Sequence, residues 1–310
     1  MPSRLHQVYA RVVPRVRKAE EMGGPEPEER DRVVRWHLTL DRSFPTRAVP
    51  GFHRKFRVVR EELTQGGVTF PAYVVTPRHA APTRTLFYLH GGGYMAPIDP
   101  FQVRYITRLA TALGSSSGGV RVVMPDYPLA PEHTWRDSHD AIVELAARYS
   151  REPGGIALVG DSSGGGYALA IAISLRDRGH AQATHVVLHA PWVDLTTSTP
   201  ETEAYDEVDP WLFVGKLRAY ALWWAGGSAD LGRPEVSPAL ADLAGLPPGL
   251  MFCGTRDLLL PGCRLLARRA SEAGWSLTYV EQQGLIHAYP VLPFLREARV
   301  AMRQTLRFLS

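Results

Sequence analysis

Short apolar runs alternate with amphipathic, helix-like stretches along most of this chain. Two runs that alternate polar and apolar positions, 56–59 and 68–70, are joined near Gln65-Gly66-Gly67. They predict an antiparallel hairpin at a sheet edge. Beyond it, more continuously apolar runs predict strands at 85–89, 120–123, 156–159, 185–188, 250–253 and 277–280, with 85–89 and 250–253 read as buried, and helical patterns around 139–149 and 165–176. Strands that alternate with helices predict a mostly parallel sheet covered on both faces, with functional residues gathered at the carboxyl ends of the strands.

Two stretches break this rhythm. In the first 48 or so residues, Leu5, Val8, Tyr9, Val12 and Val16 recur at helical spacing, with Arg4, Arg11, Arg15 and Lys18 on other faces. The pattern predicts an amphipathic helix, kinked at Pro14 and broken by Gly23-Gly24-Pro25-Glu26-Pro27. Its apolar stripe must cover something: a substrate pocket, the core, or a lipid surface. The second stretch, about 195–234, opens with Thr196-Thr197-Ser198-Thr199-Pro200 and carries Glu201, Glu203, Asp206, Glu207 and Asp209. It then turns aromatic at Trp211, Phe213, Tyr220, Trp223 and Trp224. Aromatics of that density predict a hydrophobic wall over a small-molecule site. Spacing alone does not say which of them faces the cavity.

Composition narrows the class. A chain of 310 residues with 45% hydrophobic residues is read as one domain, 1–310, with a cap formed by the two irregular stretches. The formal net charge is +4, but acidic and basic residues are interleaved and no basic face emerges, so a nucleic-acid partner is not expected. No run approaches the roughly 18 apolar residues of a membrane span, and no apolar signal core opens the chain. A cytoplasmic enzyme is the expectation, with a homodimer left open. Cys253 and Cys263, on a predicted strand and the helix start after it, are expected to be buried reduced thiols, too few for a structural zinc site.

The candidate chemistry lies at the strand ends. Gly160-Asp161-Ser162-Ser163-Gly164 follows the apolar run 156–159 and precedes a helical pattern, where a tight strand-to-helix turn would present Ser162 as a nucleophile. His90-Gly91-Gly92-Gly93-Tyr94 ends the run 85–89. Without side chains, the amides of Gly91 and Gly92 can point into a cleft, and with that of Ser163 they would hold an oxyanion. Asp257 follows the run 250–253, and His287 follows 277–280 by way of Gly284. The order Ser162, Asp257, His287 selects Asp257 over the rival acids Asp194, Asp206, Glu207 and Asp209. His90 is read as a brace for the glycine loop, and Asp161 as a tie between the elbow and neighbouring backbone.

His90-Gly91-Gly92-Gly93, Asp126-Tyr127-Pro128-Leu129-Ala130-Pro131-Glu132-His133 and Gly160-Asp161-Ser162-Ser163-Gly164-Gly165 resemble the three signature segments of the hormone-sensitive-lipase-like group of α/β-hydrolases. The resemblance runs from about Phe56 to the C-terminus. It implies an eight-stranded, mostly parallel sheet, esterase activity, no cofactor, and a cap built from the N-terminal segment and an insertion after the sixth strand. Two positions depart from the group: Pro128 stands where arginine is usual, and Asp257 is followed by Leu258-Leu259-Leu260-Pro261-Gly262 instead of the usual Pro-Leu-x-Asp-Glu. The second departure resembles a subgroup that includes lactone and short-ester hydrolases. The expected function is therefore a serine carboxylesterase of short- to medium-chain esters working through an acyl-enzyme. A lactonase or small-metabolite deacetylase on the same triad, and a non-catalytic receptor on the same scaffold, are the alternatives.

Overall fold

The computed structural model describes residues 2–17, 26–197 and 199–310. Lys18, the helix break at Gly23, Gly24 and Pro25, Ser198 and the side chain of Val16 lie outside the described residues. The strands are β1 (Phe56–Gln65), β2 (Val68–Pro77), β3 (Pro82–Leu89), β4 (Gly119–Pro125), β5 (Ile156–Asp161), β6 (His185–His189), β7 (Gly249–Arg256) and β8 (Leu277–Ile286). They form one sheet in the order β1-β2-β4-β3-β5-β6-β7-β8. β1 and β4 both pair antiparallel with β2, and every other pairing is parallel. The chain moves outward from β3 to β4 and then returns to lay β5 on the other side of β3. The loops after β3 and β5 therefore part at their carboxyl ends and leave a crevice, the place where open α/β sheets put their chemistry.

The helices are α1 (Arg4–Arg17), α2 (Glu26–His37), α3 (Phe52–Lys55), α4 (Pro100–Ser117), α5 (His139–Ser150), α6 (Ser163–Asp177), α7 (Val214–Ala225), α8 (Leu260–Glu272) and α9 (Arg296–Leu309). Period-two alternation decides what each strand residue meets. Leu86 and Tyr88 join the core beneath α4 and α9, while Phe87 and Leu89 join the one beneath α5, α6 and α8. All four are fully buried, which is why the strand reads as uninterrupted apolar sequence. Each such side chain contributes about 1.5–3 kcal/mol by leaving water. No helix among the described residues is long and apolar enough to cross a membrane.

The N-terminal helix corrects one expectation. Leu5, Val8 and Val12 are 51%, 54% and 43% exposed, so these members of the stripe singled out from the sequence face outward while Tyr9 docks. The face that docks carries His6, Ala10 and Val13. His6 Nε2 accepts the Ile286 amide at 3.2 Å, Ser3 bonds the Glu297 carboxylate of α9, and Tyr9 packs edge-on against Phe294. A buried polar acceptor, invisible to an apolar count, chose the face. Cys253 on β7 and Cys263 on α8 are both buried and unbridged, and burial pushes both thiols up.

Candidate active site

Ser162 lies between the end of β5 and the first turn of α6 with φ 53° and ψ −126°, a conformation that costs of order 1–3 kcal/mol for a residue with a side chain. The surroundings hold it there. Its amide donates to the His189 carbonyl at 2.9 Å, and its carbonyl accepts the Trp192 amide at 2.8 Å. The flanking glycines are a steric requirement: a Cβ on Gly160 would lie 2.2 Å from the Gly164 carbonyl oxygen, and one on Gly164 would lie 2.2 Å from that of Leu89.

β7 and β8 run further than the apolar runs indicated, so Asp257 and His287 each follow directly on a strand end beside the elbow. His287 Nε2 lies 3.0 Å from Ser162 Oγ, and His287 Nδ1 lies 3.1 and 3.0 Å from the two carboxylate oxygens of Asp257. Asp257 is fully buried, His287 nearly so, and Ser162 is half-buried. Burial alone would push the imidazole down. The neighbouring carboxylate of Asp257, with smaller contributions from Asp209 and Asp161, outweighs it and leaves His287 above its ordinary 6.5. The rival Asp194 is occupied locally, accepting the amide and hydroxyl of Thr196.

The glycine loop corrects a second expectation. The Gly91 amide does not face the crevice. It donates to Asp161 Oδ1 at 3.1 Å, and a Cβ at this position would meet Asp161 Oδ2 at 2.4 Å. Asp161 also accepts from the Tyr88 hydroxyl and from Gln102 Nε2, so it ties the elbow to the loop as expected from sequence. Among the described residues, the amides of Gly92, Gly93 and Ser163 carry no protein hydrogen bond. His90 braces the loop, donating from Nδ1 to the Gly91 carbonyl at 3.0 Å and stacking on Tyr127 at 4.1 Å between ring centroids. Where Pro128 leaves the signature without its usual arginine, Arg42 of the N-terminal arm reaches the Asp126 carboxylate at 2.9 Å.

The two irregular stretches meet each other. Tyr220 of α7 donates to Glu29 of α2 at 2.8 Å, Trp223 donates to Glu26, and His37 Nε2 meets the Met95 carbonyl at 2.7 Å. The aromatics divide by task. Trp224 is fully buried and stacks on Tyr94 at 4.3 Å, whereas Trp211 sets its ring edge-to-face with His287 at 5.7 Å. One acid of the insertion reaches the same place and was not distinguished by sequence: Asp209 is buried, and its Oδ2 accepts the amide of Leu258, next to Asp257, at 2.7 Å. Among the described residues no three His, Cys, Asp or Glu side chains group in a way that could hold a metal ion. A surface cavity of about 210 Å³ between Arg42, Phe70 and His133 includes neither Ser162, Asp257 nor His287.

Comparison with known proteins points the same way as the sheet. A family model described as alpha/beta hydrolase fold matches residues 86–291. An acetyl-hydrolase of Streptomyces hygroscopicus is 34% identical over 222 residues, covering 69% of this chain and 72% of that protein. An esterase of Acinetobacter venetianus is 27% identical over 233 residues, with 74% and 75% covered. Among solved structures, an esterase of the bacterial hormone-sensitive lipase family superposes with a TM-score of 0.75 at 25% identity, over 100% of this chain and 98% of its own.

Proposed function

The chain belongs to the α/β-hydrolase family, in its hormone-sensitive-lipase-like group, and is a carboxylic ester hydrolase; from that premise we propose that Ser162, Asp257 and His287 act as a serine triad on short- to medium-chain esters. The observation that carries the proposal is the continuous hydrogen-bonded line from Ser162 Oγ through His287 to Asp257, with both links near 3.0 Å. Ser162 Oγ attacks the ester carbonyl as its proton passes to His287 Nε2. The tetrahedral oxyanion is held by amides, and the imidazolium then protonates the departing alcohol. Water, activated by the same imidazole, releases the acid. Asp257 keeps Nδ1 protonated and stabilises the imidazolium.

The oxyanion donors in this reading are the amides of Gly92, Gly93 and Ser163, because that of Gly91 is engaged with Asp161. Trp211 stands edge-on to His287, and the Tyr220 ring lies 3.3 Å from where a Cβ on Gly93 would be, which supports acyl groups of bounded length. The name of the Streptomyces relative, acetyl-hydrolase, supports small acyl groups as the starting point. The steps call for no cofactor. Ser162→Ala should lower ester turnover by about 10⁴ to 10⁶ with the fold intact. A fluorophosphonate should label Ser162 and no other residue, as read by mass spectrometry of the digest. A Ser162→Ala enzyme near the wild-type rate would end the proposal.

A further inference from the structure

Asp209 is one of six acids in the aromatic insertion, and the mechanism above has no use for it. It is 1% exposed. Its Oδ1 accepts the amides of Trp211 at 2.7 Å and Leu212 at 3.1 Å, and its Oδ2 accepts the Leu258 amide at 2.7 Å across 49 residues of sequence. Asp257 Oδ1 accepts the next amide, that of Leu259, at 2.9 Å. Two carboxylates therefore hold consecutive amides of one short turn. One of them belongs to the triad candidate, and the other begins the loop that sets Trp211 against His287.

The tie uses both oxygens, where an asparagine or serine would accept on one side only, but a buried carboxylate is costly and here faces a second one, which a tie alone does not explain. Burial, and then the charge of Asp257, push the Asp209 carboxyl up to about 6, against the opposing pull of His287 and the amides of Leu258 and Leu212. The charged groups acting on the cluster are Asp257, His287 and, from the elbow side, Asp161. On its own loop, Asp206 is turned to the Val214 amide, and the Asp209 amide donates to the Tyr205 carbonyl. Two anions beside one imidazole are repulsive while the ring is neutral and become favourable when it is protonated. Protonation is the change the reaction imposes when the Ser162 proton reaches Nε2, so the arrangement favours the transition state over the resting enzyme.

We propose that Asp209 is a positioning residue of this site, acting through His287: one buried carboxylate that ties the aromatic insertion to the acid loop and helps to stabilise the imidazolium. The proposal rests on the triad reading above. Its test is the pH profile of kcat/KM on p-nitrophenyl butyrate for the full chain and its Asp209→Asn, Asp209→Ser, Asp209→Glu and Trp211→Phe variants. Melting temperature and stoichiometric fluorophosphonate labelling select the folded variants. Asp209→Asn should lower kcat roughly tenfold or more with KM little changed, and should move the ascending limb to lower pH by about half a unit, because His287 loses an anion that raises it. Asp209→Ser asks the same question if the asparagine variant does not fold. Asp209→Glu should keep the limb at its wild-type position, and Trp211→Phe, which alters no charge, should leave it unmoved. A folded Asp209→Asn enzyme with the wild-type limb overturns the proposal, whether or not kcat falls, since Asp209 is then at most a loop tie. Activity persisting in Ser162→Ala would instead overturn the triad reading itself, so the two failures are separable.

Discussion

Asp161 stands one residue before the elbow serine and takes three donors on a buried carboxylate: the Tyr88 hydroxyl, the Gly91 amide and the Gln102 side chain. Removing the acceptor leaves Tyr88 and Gly91 without a partner in a site closed to water, at about 1–3 kcal/mol for each, and leaves Gln102 with only the Gly91 carbonyl. Asp161→Ala should therefore lose several kcal/mol of stability in denaturant titrations. Asp161→Asn should lose less: its oxygen can still serve Tyr88 and Gly91, while its nitrogen is forced against Gln102, whose own oxygen is held by the Asp99 amide. Both variants should lower kcat more than they raise KM, because Gly91 anchors the loop that carries the neighbouring amides; equal stability of the alanine and asparagine forms would contradict this. The same contact explains what the sequence could not reveal. Three glycines after a strand marked a backbone tool, but the direction of each amide depends on where the Asp161 carboxylate lands, a contact across 70 residues. Asp209 was equally opaque, since among Asp206, Glu207 and Asp209 only the distant Leu258 amide sets it apart.

Among elements, the strands were the most legible, because burial on both faces leaves an apolar run that few other structures require. α1 was legible as a helix but not in orientation. Leu5, Val8 and Val12 form one line along it and His6, Ala10 and Val13 another, and counting apolar residues favours the wrong one. Because the docked line meets Ile286, directly before His287, α1 braces the histidine loop, whereas α2 holds the insertion through Glu29 and Tyr220. The two should separate experimentally. Removing residues 1–17 should lower kcat about tenfold for esters of every length, since the Ile286 amide loses its acceptor. Glu29→Ala should instead relax the limit on acyl length by loosening the wall that α7 forms. Measuring kcat/KM from acetyl to palmitoyl esters distinguishes them; a length-selective effect of the truncation would place α1 over the pocket after all.

Across the whole molecule, buried imidazoles set the response to acid. Burial lowers His90 and His139 to about 4 and His189 to about 3. Between their ordinary 6.5 and these values the unfolded chain binds protons that the folded chain refuses, so stability falls as pH falls through that window and levels off below it. Each contributes a loss on the order of 3 kcal/mol. Asp209 and Asp161, whose carboxyls burial raises, oppose the trend as the pH falls, but they are two groups against three imidazoles. The guanidinium midpoint should therefore drop steeply from about pH 6.5 to 4. His139→Gln, which can keep a donor to Ser174, should flatten the drop; an unchanged slope would mean His139 does not contribute to it. The closure of the chain on itself also has a consequence for its biosynthesis. Ser3 is held by a residue 294 positions later, and His6 by one 280 positions later. Synthesis proceeds from the N-terminus, so α1 has no berth until the elements up to α9 have followed it out of the ribosome. Throughout that interval both of its apolar lines are uncovered, a surface that a holding chaperone would cover.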